Sequence, residues 1–211
     1  MPHPTEGIAT ALPRHVWRYL LAVFLGLSMG ATALTVGSPH YEAVAKSMTK
    51  FEATWIARQA QRALAALRGA ESLNPAEQRD LVTRWSDSIA LSVALDLGVD
   101  VGALQRAWRS ASLERQRVLF AALSQLGVPY KLNADQPGIA LDCSALTKFA
   151  WTTAGTSIPR SSAQQYAAST RVKNDEVQVG DLAWYPGHIM MSLGIPNVIV
   201  HTRDYGRSVE V

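Results

Sequence analysis

The sequence predicts an α+β protein, helices packed on an antiparallel sheet, preceded by a small helical region and an N-terminal apolar segment. Three observations carry this. Apolar residues recur at helical spacing from about residue 41 to 126. After Gly127 the texture changes, and Pro, Gly, Asn and Asp dominate 129–142. From Val177 onward, short apolar or alternating runs are separated by Pro186-Gly187 and Gly194-Ile195-Pro196, the pattern of hairpin-linked strands.

The apolar segment comes first. Residues 1–18 hold Arg14, His15 and Arg18 and no acid after Glu6, and Tyr19 to Val36 carry no charge at all. A positive flank before an apolar run is an export signature. The run lies at the short limit for a membrane span. Trp17 and Tyr19 suit a lipid–water interface, and Ala31-Thr32-Ala33 offers a cleavage site. Residues 1–37 therefore read as a signal peptide or a membrane signal-anchor, the anchor using 19–36. Either puts residues 40–211 outside the cytoplasm, in the cell envelope, anchored or secreted.

Residues 41–70 read as one helix, with Val44, Met48, Phe51 and Trp55 in one stripe. Asn74-Pro75 with Glu77 supplies a capped start for a second, which shows Leu81, Trp85, Ile89 and Val93 on one face and ends at Gly98. A short helix follows from about Gly102 to Trp108, and another from Ser112 through Val118 to Leu126, closed by Gly127 and Pro129. Residues 41–110 thus form a helical region with no catalytic constellation, its stripes suited to core or helix–helix seams. Residues 143–154 fit a helix, and 158–170 a turn and a short helix. The runs Leu182–Tyr185, Ile189–Leu193 and Asn197–Thr202 fit strands, with Ser208–Val211 as a fourth.

Composition excludes several functions. At 48% hydrophobic and 18% charged residues the chain has enough apolar side chain for a core and is no disordered protein. One cysteine excludes an internal disulfide framework and a multi-thiolate zinc module. A net charge of +3 is too weak to argue for nucleic acid.

The chemistry gathers on that one cysteine. Cys143 opens a helix just after Asp142, where the macrodipole and free N–H groups lower a thiol's pKa toward the reactive range. His188 begins one strand and His201 lies on the next, so a short turn brings them to neighbouring ladder positions. A histidine beside a thiol takes its proton and holds it as an ion pair, and a second polar group on the other ring nitrogen fixes the tautomer. A small buried hydrophobe, a turn residue and a solvent-facing strand residue are the plainer readings of the same three positions.

Six segments then decide. Leu126-Gly127-Val128-Pro129-Tyr130, Asp142-Cys143-Ser144-Ala145-Leu146, Ile158-Pro159-Arg160-Ser161-Ser162-Ala163-Gln164-Gln165, Val179-Gly180-Asp181-Leu182, His188 through Gly194, and Val200-His201 stand in the order found in NlpC-type cysteine peptidases. Residues 113–211 resemble that family of papain-like cell-wall endopeptidases. The resemblance implies Cys143 as nucleophile, His188 as base and His201 as the residue orienting it. It also implies that Tyr130 frames the oxyanion or carbonyl position, and that Asp142 and Ser144 line the substrate cleft. It implies no cofactor and no metal. The implied substrate is the peptidoglycan stem peptide, cut most often between D-glutamate and a diamino acid. Ala145, Leu132-Asn133-Ala134 and Met190 depart from the usual pattern, at positions that touch the cleft walls. Competing readings are a decayed wall-binding or partner-docking module, a Cys-His-His zinc hydrolase, and acyl transfer by the same thiol.

Overall fold

Caps set most of the helix boundaries. The structure, a computed structural model, describes residues 39–211. Helix α1 spans Pro39–Leu67. Helix α2, Pro75–Leu97, starts at a capping box: the Asn74 side chain accepts from the N–H of Ala76 and Glu77, and the Glu77 carboxylate accepts from the N–H of Asn74, each at 3.0 Å. It ends where Gly98 turns left-handed at φ 59°. Helix α3, Val101–Ser110, is capped by Asp100, and α4, Leu113–Leu123, by Ser112. The helix expected to reach Leu126 stops at Leu123, because Gln125 and Leu126 close tighter three-residue turns on Ala122 and Leu123.

The stretch 129–142, rich in Pro, Gly, Asn and Asp, holds a two-stranded hairpin, β1 Asp135–Gln136 paired antiparallel with β2 Ala140–Leu141. Helices α5, Cys143–Thr153, and α6, Ser162–Ala168, follow. Strands β3 Val179–Tyr185, β4 His188–Leu193 and β5 Ile199–Val200 form an antiparallel sheet in the order β3-β4-β5. Pro186-Gly187 makes the tight β3–β4 turn, with Gly187 at φ 89°. Gly180 also needs its missing side chain: at φ 87° an added Cβ would stand 3.2 Å from both Trp151 and Val118. The fourth strand expected at Ser208–Val211 is reduced to two isolated bridges. Ser208 pairs with Pro129 and Glu210 with His201, so the segment changes partner within three residues and never runs along one strand.

The chain divides into two compact units, Met1–Lys46 and Ser47–Val211. Of the first, the described part is the opening of α1. The uncharged run 19–36, its cleavage site and the side chains of Val44, Met48 and Phe51 lie outside the described residues. Among the described residues no helix is long and apolar enough to cross a membrane.

The second unit has one core. It takes Ile56, Ala60 and Leu67 from α1, Ile89 and Val93 from α2, and Leu104 and Trp108 from α3. It continues through Val118–Leu123 of α4 to Leu146, Met191, Leu193 and Val209. The break that the sequence suggests between 110 and 113 is therefore not a break in packing. Trp108 is fully buried, and its indole N–H donates to the Leu193 carbonyl at 2.7 Å. Gln116 donates back to the carbonyls of Trp108 and Ala111 at 3.2 and 2.9 Å. Arg115 meets Asp181 at 2.8 Å, bonds the Val179 carbonyl and lies 5.9 Å over the Trp151 ring. Helices α3 and α4 thereby fix one end of the sheet, where Val179 pairs with Leu193, opposite the turn end at which His188 pairs with Tyr185.

Candidate active site

Cys143 is the first residue of α5 and half-buried. Its place follows from Asp142, which caps the helix by accepting from the Ala145 N–H at 2.8 Å. That bond leaves the N–H groups of Cys143 and Ser144 without helical partners. Both, together with the N–H of Ile189 on β4, favour the ionised form of the thiol.

The two histidines meet. His188 is paired across the turn with Tyr185, whose ring sits 5.3 Å from its own. His201 follows β5, whose register sets Val200 opposite Met191. The histidines are thus diagonal neighbours on one face of the sheet. His188 Nε2 lies 3.1 Å from His201 Nδ1, with the rings near edge-on. Tyr130 packs its ring edge-on to Tyr205 at 5.5 Å. Burial raises the pKa of its phenol, and the charges of Cys143 and Asp142 nearby add to the effect. Tyr130 and Cys143 are thus near enough to influence each other, and the two histidines meet beside Ile189, whose N–H acts on the thiol.

Asp142 and Ser144 are at the same place but face inward. They are 6% and 5% exposed, which corrects the expectation that they line a cleft. The reason is Arg160. Its guanidinium donates to both Asp142 oxygens, at 2.9 and 2.7 Å, to Ser144 Oγ at 2.9 Å and to the Ala134 carbonyl at 3.2 Å. Ser144 Oγ also bonds Asp142 Oδ1 at 3.2 Å. Gln165 holds the other side: its amide donates to the carbonyls of Ser144 and Pro159 at 2.9 and 2.8 Å, and accepts from Thr147 Oγ1 at 2.7 Å. In the sequence Arg160 and Gln165 stand within the Ile158–Gln165 segment, which by itself assigns neither a role. The spacing from Asp142 to Arg160 holds no periodic signal that pairs them.

The electrostatics also correct an expectation. Burial pushes the Cys143 thiol up from its ordinary value; the N–H of Ile189 pulls it down, and Asp142 adds to the rise. The helix-start N–H groups of Ser144 and Cys143 act in the predicted sense but are outweighed. Burial pushes His188 down, with His201 and Arg203 adding to the shift. Burial also lowers His201, against the pull of Glu210. The free site therefore favours a neutral thiol beside neutral imidazoles over a preformed ion pair. Among the described residues no three His, Cys, Asp or Glu side chains converge to hold a metal ion.

Known proteins agree with this region. Residues 127–211 match the model of the NlpC/P60 family. A protein of Corynebacterium glutamicum named "Probable endopeptidase" is 34% identical over 124 residues, 56% of this chain and 58% of that protein. A "Probable endopeptidase" of Mycobacterium bovis is 35% identical over 101 residues, 46% of this chain and 26% of its own length. A bifunctional muramidase/DL-endopeptidase of Bacillus subtilis is 31% identical over 72 residues, 34% of this chain and 22% of its own. The alignment thus takes in somewhat over half the length of the Corynebacterium relative. Residues 127–211, with the thiol at a helix start and the histidine pair on the sheet, thus match a domain of the NlpC/P60 family.

Proposed function

We propose that this chain is a cysteine-type peptidoglycan endopeptidase that cleaves an amide bond in the wall stem peptide. The observation that carries the reading is the 3.1 Å contact of His188 with His201, beside Ile189, whose N–H favours the ionised form of the Cys143 thiol. A nucleophile, a base and a group that orients the base are the parts that acyl transfer requires. The relatives named as endopeptidases support the same chemistry.

The neutral resting pair shapes the mechanism. His188 takes the thiol proton as Cys143 Sγ attacks the amide carbon. The oxyanion that forms is met by backbone N–H groups at the start of α5, with Tyr130 beside them. Each such donor is typically worth roughly 3–4 kcal/mol of barrier. The tetrahedral adduct collapses as protonated His188 gives its proton to the leaving amine. Water then attacks the thioester, losing a proton to His188, and the returning proton frees Cys143 and the new carboxylate. Substrate of this kind lies outside the cytoplasm, where the uncharged run after Arg18 would carry residues 40–211. A reporter fused after Val211 is expected to be active only there, and cytoplasmic reporter activity counts against that location.

The test is mass spectrometry of defined muropeptides incubated with wild type and variants. Cys143→Ala and His188→Ala are expected to abolish cleavage together. His201→Ala is expected to cost about 10²–10⁴-fold, since an orienting group fixes a tautomer and transfers no proton. Alkylation of the thiol measured against pH reports the resting state. A raised thiol pKa gives a rate that climbs only above the ordinary thiol range. Uncut muropeptides, or cleavage that survives Cys143→Ala, would reject the reading.

A further inference from the structure

The pair of histidines has a third ionisable neighbour to which no role has been given. Glu210 is bridged to His201 by reciprocal backbone bonds, His201 N–H to Glu210 O at 3.0 Å and Glu210 N–H to His201 O at 2.9 Å. A reciprocal bridge sets two side chains on the same face. Glu210 Oε1 accordingly lies 3.7 Å from His201 Nε2. The carboxylate does not hang free. Arg207 grips it with both arms, Nε to Oε1 at 3.0 Å and Nη2 to Oε2 at 2.7 Å.

Resting on the peptidase reading, we propose that Glu210, held by Arg207, is a positioning residue that fixes the tautomer of His201 and, through it, that of His188. Counting protons separates the two possible arrangements. The 3.1 Å contact between His188 Nε2 and His201 Nδ1 needs one N–H and one lone pair. If His201 supplies the N–H, His188 must accept at Nε2 and carry its own proton on Nδ1, and it has no lone pair left for the thiol. If His188 supplies the N–H, its Nδ1 is a free base, and His201 must carry its proton on Nε2. That is the nitrogen facing Glu210. At 3.7 Å the carboxylate makes no hydrogen bond of good geometry, but its charge favours a proton on the near nitrogen over a lone pair there. One carboxylate thus selects the working tautomer of two rings in series.

The other charges around His201 do not do this. Arg203 and Arg207 disfavour a proton on the ring as a whole, and Asp204 and Glu210 favour one. Only Glu210 is in ion-pair contact with a ring nitrogen of His201 among the described residues.

The experiment reads tautomers directly, without substrate. Histidine-labelled protein is examined by long-range proton–nitrogen correlation NMR at a pH where both rings are neutral. Wild type is expected to carry the proton on Nε2 of both His188 and His201. Glu210→Gln keeps the backbone bridge and removes the charge, and the Nδ1–H form is expected to appear at both rings. Glu210→Asp restores the charge and is expected to restore the wild-type signals. In cleavage assays Glu210→Gln should lower kcat about 10–100-fold with KM unchanged, less than a fully wrong tautomer costs. Loss of the charge also moves the acid limb of the rate profile to lower pH, because Glu210 supports protonation of His201. A folded Glu210→Gln protein with unchanged tautomers overturns the proposal, as does wild type with Nδ1–H on His188. Correct tautomers in a protein that cuts no muropeptide would support the relay and reject the peptidase reading, so the two failures are distinct.

Discussion

The helices up to Ser110 and the segment from Gly127 onward treat polar groups in opposite ways. In the helices they are mostly exposed and bond within a turn: Asn74 with Glu77, Thr83 with the Arg79 carbonyl, Asp100 with the Ala103 N–H. At the candidate site beyond Gly127, several are buried or half-buried and bond across the chain: Asp142 with Arg160, Thr147 with Gln165, His188 with His201. A local, hydrated bond is easily replaced by water when one partner is lost. A buried bond leaves the other partner unpaired, at a cost of about 1–3 kcal/mol and more for a charge. The comparison therefore predicts where substitutions hurt, and in what order.

Trp108 tests whether the two regions are energetically separate at all. It belongs to the helices, yet it is fully buried and its indole bonds Leu193, at the end of the strand that His188 begins. Trp108→Ala is expected to cost about 3–5 kcal/mol of unfolding free energy in denaturant titration. Trp108→Phe keeps most of the packing and strands the Leu193 carbonyl, so about 1–3 kcal/mol is expected. A loss under about 1 kcal/mol for Trp108→Ala, within the range of surface substitutions, would restore the boundary near residues 110–113 that the sequence suggests.

Arg160 sharpens the contrast from the other side. Arg160→Ala removes four donated bonds and leaves Asp142 buried and charged. Breaking such a pair costs about 3–5 kcal/mol when both partners are buried, and about 2–4 is expected here because the Arg160 side chain is 35% exposed. The double variant Asp142→Asn with Arg160→Met carries no orphaned charge and is expected to be more stable than Arg160→Ala alone. Cleavage should fall in both, since Asp142 caps the helix that presents Cys143. A single-variant loss as small as an exposed ion pair's, about 0–1 kcal/mol, would erase the contrast.

The same contrast explains what could be read from the sequence. Capping residues sit within four positions of what they bond, so Asn74, Gly98, Ser112 and Asp142 announced their helices. The turn at Pro186-Gly187 announced β3 and β4. The candidate site was legible at Cys143, His188 and His201 because helix start, turn and strand place them. Arg160, Gln165 and Glu210 were not, because their partners at the site, Asp142, Ser144 and His201, lie 18, 21 and 9 residues away and meet them only when the chain folds back. Burial, which reverses the helix-start effect on the Cys143 thiol, is likewise a property of the packed core and not of its neighbours in sequence.

Asn74 is the control, with the smallest expected effect. Its side chain accepts from two N–H groups at the start of α2, and Glu77 closes the box, all at the surface. Asn74→Ala frees those donors to water and is expected to cost about 1 kcal/mol. The α2 start is remote in the contact pattern from Cys143: α2 packs on α3, and the helix that presents the thiol packs on α4, α6 and β4. Muropeptide cleavage should therefore match wild type at temperatures where both proteins are folded, while the denaturation midpoint falls. A rate that dropped with the midpoint unchanged would mean that a local cap communicates with the thiol, and the division between locally and distantly bonded regions would have to be given up.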